Sequence, residues 1–176
     1  MNTARSAAAG KRLNMPPRAT WIIALSILLL DQLTKSLVIR SLPVWGQQVI
    51  IEGFFNIVHV LNRGAAFGFL NTQNASWQPF FFIAVTGLAV LVLVSLLGQA
   101  HNKGPLYLFA LSSILGGALG NLTDRLRHGV VVDFLDVHLG RFHWPAFNVA
   151  DMAISIGAIC LLITFYKRDT HAPDSD

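Results

Sequence analysis

Charge is what this sequence has least of. Only 12% of its 176 residues are Asp, Glu, Lys or Arg, about half the roughly 25% of an ordinary soluble domain, and 53% are hydrophobic. That balance excludes a soluble globule and points to a membrane protein. Cysteine is nearly missing: the lone Cys160 rules out an intramolecular disulfide, leaves the redox compartment unread and suits helix packing. A phosphate-binding glycine loop, a G-x-S-x-G nucleophile elbow and an H-E-x-x-H metal pair are all absent. Acids are scarce enough to weigh one by one. Apart from the tail, they are Asp31, Glu52, Asp124, Asp133, Asp136 and Asp151.

Long apolar runs, by contrast, are plentiful. A hydrocarbon core is crossed by about 20 helical residues, and four stretches qualify: 21–38, 77–97, 106–122 and 149–166. The expected fold is an α-helical membrane protein of four transmembrane helices in a single domain over residues 1–176, with flexible ends at about 1–19 and 169–176. The net charge of +4 does not form the continuous stripe that would bind nucleic acid. Its residues flank the spans instead. Arg5, Lys11, Arg12 and Arg18 precede the first, Lys103 joins the second to the third, and Lys167 and Arg168 follow the fourth. The positive-inside rule then puts both termini in the cytoplasm, although Arg40, Arg63, Arg125, Arg127 and Arg141 moderate the bias. Asp31 and Lys35 stand at i,i+4 within the first apolar run, and no small-residue cleavage site follows it, so a retained helix is expected rather than a cleaved leader.

Between the first two spans, β-formers from Val49 to Leu61 are broken by Gly53 and followed by Asn62-Arg63-Gly64. They predict strands with a turn, forming a small extracytoplasmic β-sheet that rests partly on the membrane. Pro79 falls in the first turn of the second span, where its missing donor is tolerated. In the third span, Gly116-Gly117-Ala118-Leu119-Gly120 supplies small residues for close helix packing within the chain.

An ionised side chain at a bilayer centre costs about 2.5–3.5 kcal/mol on insertion scales, so acids near lipid demand a reason. Asp133, in Val131-Val132-Asp133-Phe134, and Asp151, in Phe147-Asn148-Val149-Ala150-Asp151, lack any basic neighbour in sequence. Burial raises such a carboxyl, and like-charge repulsion would leave one of a close pair protonated, as acid–base activation of water requires. Taken singly, either acid is as well explained by a helix cap or a polar pocket. Asp124 adjoins Arg125, which predicts an ion pair closing the third helix, and Asp136 is expected in water beside His138. His128, His138 and His143 lack metal-ligand spacing. Lys35 and Ser36 point about 100° apart on a helix and make a poor Ser-Lys nucleophile.

Read together, Asp31-Gln32-x-x-Lys35, Asn62-Arg63-Gly64-Ala65-Ala66-Phe67, Gly116-Gly117-Ala118-Leu119-Gly120-Asn121-Leu122-x-Asp124-Arg125, Val131-Val132-Asp133-Phe134 and Phe147-Asn148-x-Ala150-Asp151 resemble lipoprotein signal peptidase, the bacterial signal peptidase II. The motifs keep the family's order from the first span to the fourth. Met152 departs from it, standing where a small hydroxyl residue is usual, and the N-terminal extension is long. The resemblance implies an aspartic endopeptidase of the bacterial inner membrane. It would remove the signal peptide from diacylglyceryl-modified prolipoproteins, cutting before the lipidated cysteine near the extracytoplasmic surface. Asp133 and Asp151 would then be the catalytic pair, with Asp31, Lys35, Asn62, Gly64, Asn121, Asp124, Arg125 and Asn148 supporting structure or substrate. Asp124 stays a rival partner for Asp151.

The corresponding partners are the prolipoprotein and membrane lipid, with no nucleic acid, cofactor or metal, and the chain is expected to be a monomer. Phe54, Phe55, Phe67, Phe69 and the apolar span residues are candidates to receive acyl chains or the signal helix. Two other classes use similar material. A small transporter would spread relay acids through the membrane thickness, and a noncatalytic assembly factor would tolerate replacement of either acid.

Overall fold

The computed structural model describes residues 17–64, 77–100 and 103–169. Among these residues are four helices: α1 (Pro17–Ser41), α2 (Gln78–Gly98), α3 (Pro105–His128) and α4 (Val149–Asp169). Each is long and apolar enough to cross a membrane. The expected flexible ends fall mostly outside the described residues, as do Phe67 and Phe69. Pro79 opens α2 and Pro105 opens α3, both at positions whose amides have no intrahelical partner.

The third helix is the hub. It packs against α1, α2 and α4, and 61% of its most apolar stretch is buried, compared with 17–22% for the others. Glycine makes this possible. A Cβ on Gly116 would lie 2.6 Å from the carbonyl of Ala24 in α1, and one on Gly117 would lie 2.4 Å from that of Ala150 in α4. On α4, Gly157 meets the carbonyl of Ala110 in the same way, at 2.7 Å. Close backbone approach supplies the packing that hydrophobicity cannot supply between helices in lipid. The outward faces of α1, α2 and α4 expose Leu25, Leu29, Phe80, Leu88, Leu91, Ile159 and Leu162.

The third helix also runs six residues beyond the expected end at Leu122, to His128, where Gly129 stops it at φ 71° in the left-handed region. Asp124 and Arg125 therefore lie within the helix, one turn before its end. A four-stranded antiparallel sheet, in the order β1-β2-β3-β4, lies against α1 and α3. Its strands are β1 (Gln47–Ile51), β2 (Phe55–Asn62), β3 (Val131–Leu139) and β4 (Phe142–His143). The first two match the predicted pair, with Gly53 turning between them at φ 74°. The third was not expected, and it carries Asp133 opposite Val60.

Candidate active site

Each candidate acid is held by a different kind of element. Asp133 lies on the inner strand β3, 2% exposed, because the sheet on one side and Asn148 on the other enclose it. Its Oδ2 accepts from Asn62 Nδ2 at 2.9 Å and its Oδ1 from Asn148 Nδ2 at 2.7 Å. Asn62 is itself oriented, since its Oδ1 accepts the Gly64 amide at 3.0 Å. Burial, and next the charge of Asp151, push the Asp133 carboxyl up to about 7 against the pull of these two amides.

Asp151 occupies the first turn of α4. The Asp151 amide donates to Asn148 Oδ1 at 2.9 Å, and its Oδ2 accepts the Asn148 amide at 3.3 Å. This reciprocal pair is a capping box with Asp in the usual place of Glu. The helix cap suggested by sequence is thus real, and Asp151 has a further partner besides: Asn121 Nδ2 donates to its Oδ1 at 2.8 Å. Asn148 therefore touches both acids, and Asp133 and Asp151 line one cavity of about 750 Å³.

Beneath the cavity is a buried ionic cluster. Lys35, 2% exposed, uses its three donors on Asp31 at 2.8 Å, Asp124 at 2.9 Å and Asn121 Oδ1 at 3.0 Å. The i,i+4 pair predicted for Asp31 and Lys35 is present. Asp31 also accepts the Ala150 amide at 2.9 Å, one residue before Asp151. Asp124 accepts the Val132 amide at 3.1 Å, one residue before Asp133. One ammonium thus links two carboxylates that each grip the backbone beside a candidate acid. Its bond to Asn121 Oδ1 turns that residue's amide nitrogen toward Asp151. Gln32 Nε2 completes the cluster by donating to Asp124 at 2.8 Å.

Two expectations need correcting. Asp124 pairs with Lys35, not Arg125, because adjacent helical residues diverge by about 100°; Arg125 lies over the Phe82 ring at 5.3 Å and lines the cavity. Asp136 is not in water. It is 6% exposed and bonded by Asn56 at 2.8 Å and His143 at 2.9 Å; burial alone would raise its carboxyl, but these bonds hold it below the ordinary range. Gln32 and the Ala150 and Val132 amides also belong to the site although sequence assigned them no role; the signal was their place beside Asp31, Asp151 and Asp133 in the motifs that hold those acids. Among the cavity's other lining residues are Asn62, Gly64, Asn121, Trp45, Trp144, Met152 and Ile156. Asp124 is not one of them. Among the described residues, no three His, Cys, Asp or Glu side chains are grouped to hold a metal ion.

Four spanning helices, a sheet at one end and a polar-floored cavity between them define a class, the multi-pass membrane enzymes. A bacterial membrane enzyme solved by the in meso method superposes with a TM-score of 0.80 at 30% identity, over 93% of this chain and 96% of that one. The family model described as signal peptidase (SPase) II matches residues 23–167. A lipoprotein signal peptidase of Maridesulfovibrio salexigens is 47% identical across 84% of this chain and 94% of its own. One from Cupriavidus taiwanensis is 45% identical across 94% and 96%, and one from Ralstonia nicotianae is 51% identical across 80% of each. The chain belongs to the signal peptidase II family.

Proposed function

We propose that this enzyme removes the signal peptide from diacylglyceryl-modified prolipoproteins, cutting before the lipidated cysteine, with Asp133 and Asp151 activating a water molecule. The observation that carries the reading is that one residue, Asn148, holds both carboxylates in one cavity, its side-chain amide donating to Asp133 and its backbone amide to Asp151. Asp133, raised toward neutrality, enters the reaction protonated, and Asp151 enters it as the base. Asp151 takes a proton from the water as its oxygen attacks the scissile carbonyl, and Asp133 protonates the carbonyl oxygen. Collapse of the tetrahedral species then expels the cysteine amine, which takes a proton from the pair. Asn121 and Asn148 hold the acids, while Asn62 and Gly64 set the rim where β2 ends; Arg125 lines the same cavity and is placed to meet the peptide backbone.

The substrate enters sideways from lipid along α4, where Met152 and Ile156 both line the cavity and remain 43% and 48% exposed. The single domain works as a monomer in the bacterial inner membrane. Arg18, Lys103 and Lys167 gather where α1 begins, α3 begins and α4 ends, which supports cytoplasmic termini and a catalytic end on the other surface. The test is purified protein in lipid given matched prolipoproteins with and without the diacylglyceryl group, the products being identified by mass. Cleavage of the lipidated form alone, immediately before its cysteine, is expected. Equal cleavage of both forms, or a cut elsewhere, would refute the reading.

A further inference from the structure

One residue in the cavity wall adopts a backbone conformation its side chain disfavours. Trp45 has φ 66° and is the single non-glycine residue with positive φ among those described. It occupies the third position of a turn closed by the Gly46 amide on the Pro43 carbonyl at 2.8 Å, where positive φ ordinarily calls for glycine. Gly46 is fixed in its place, because a Cβ there would lie 2.7 Å from that carbonyl. The buried His59 of β2 clamps the turn three times. Its carbonyl accepts the Trp45 amide at 2.8 Å, its amide donates to the Gly46 carbonyl at 3.0 Å, and its Nδ1 lies 2.9 Å from the Leu42 carbonyl.

A bulky side chain held in such a conformation calls for a functional account. Nor is the indole spent on packing: Trp45 is 71% exposed while lining the cavity. A second indole, Trp144, lines the same cavity at 53% exposure. It too is anchored, by its amide on the Val137 carbonyl at 2.8 Å and by the neighbouring His143 on Asp136. Two exposed indoles, each on an anchored stretch of backbone, therefore line the cavity that carries the acids.

We infer that Trp45, together with Trp144, recognises the glycerol diester of the lipidated cysteine and holds it at the cavity mouth. This rests on the peptidase reading above. Indoles settle at the depth of the polar–apolar boundary, where one edge is apolar and the N–H is wet. The glycerol diester has the same two-sided character, and its thioether tethers it to the residue that follows the scissile bond. With that bond at Asp133 and Asp151, the diester must lie within the same cavity, and its acyl chains leave toward lipid. The signal peptide, on the other side of the bond, makes no demand on the indoles. Trp45 is thus a specificity-determining residue, and the strained turn keeps its ring from folding away.

Trp45→Gly separates this role from a structural one, because glycine relieves the backbone while deleting the ring. Full-length protein in lipid is assayed on lipidated prolipoprotein, with two competitive inhibitors: a short peptide starting with diacylglyceryl-cysteine, and the free signal peptide. Trp45→Gly is expected to raise KM and the first inhibition constant by about tenfold, a loss of the size one aromatic contact supplies. The second inhibition constant and kcat stay within about twofold and the melting temperature does not fall, while Trp45→Phe recovers most of the affinity. An unchanged KM, or equal rises in both inhibition constants, would overturn the inference. A parent enzyme that cleaves no lipidated precursor would instead overturn the peptidase reading and carry this inference down with it.

Discussion

The acid–base asymmetry of the site resides in single residues. Asp133 is raised from 3.8 to about 7, by burial first and Asp151 second, so the folded state holds a proton that the unfolded state releases above pH about 4. The sign follows from linkage: between about pH 4 and 7 the native state binds more protons, so stability falls as pH rises through that window. Asp133→Asn removes this loss. Relative to the parent, the variant should gain a few kcal/mol of unfolding free energy between pH 4 and 8, measured by thermal unfolding in detergent at each pH; a constant difference would show that Asp133 does not carry the proton. For the parent, kcat/KM should fall above pH about 7 as the pair loses its shared proton.

Lys35 is the second residue whose loss would be disproportionate. Removing one partner of a buried ionic cluster leaves uncompensated charge and costs about 3–5 kcal/mol, and here two carboxylates would be stranded. Lys35→Met should lower the melting temperature, and its surviving folded fraction should lose about a hundredfold in kcat with little change in KM, since the cluster acts on the acids through Ala150, Val132 and Asn121. A normal kcat in folded Lys35→Met protein would show that the cluster only stabilises. Asp133 and Asp151 as candidate acids, and the Asp31–Lys35 pair, were legible in sequence, because isolated acids in apolar surroundings and an i,i+4 spacing are local signals. The true partner of Asp124 was not. Lys35 is 89 positions away, whereas Arg125 is adjacent in the chain.

Among the elements, α3 decides the geometry of the rest. Gly117 faces the Ala150 carbonyl and Gly120 faces the Asp31 carboxylate, each with room for nothing larger. Gly117→Ala should therefore push α4 outward beside Asp151, costing about 1–3 kcal/mol as overpacking does and lowering kcat as well. Gly87→Ala on α2 meets open space and should leave melting temperature and activity at or above the parent's. Comparable losses in both variants would refute the close-approach account. The spans were legible because a 20-residue apolar run has few competing readings, and the first hairpin because Gly53 breaks a β-branched run. Strand β3 went unread although Val131–Leu139 is β-rich and bounded by Gly129 and Gly140. Its two aspartates interrupt the apolar pattern, and residues 131–134 are buried without the alternation of a half-solvated strand. The end of α3 was set too early because its polar last turn, Thr123 to His128, no longer looks like a membrane span even while it continues the helix.

At the scale of the whole molecule, the bundle and the sheet meet at one end, and the cavity forms where they meet. β3 brings Asp133, α4 brings Asp151, β2 brings Asn62 and α3 brings Asn121, so no single element contains the site. That division explains why the sequence could nominate both acids without bringing them together: long-range assembly depends on the Lys35 cluster and the glycine contacts of α3. The most direct test of this assembly is cleavage of diacylglyceryl-modified prolipoprotein by purified Asp133→Asn, Asp151→Asn and Asp124→Asn proteins in lipid, each checked for folding by thermal unfolding. The first two should lose at least about a thousandfold in kcat while remaining folded, and Asp124→Asn should lose stability along with its activity. Cleavage at near-parental rates by folded Asp133→Asn or Asp151→Asn would contradict the account.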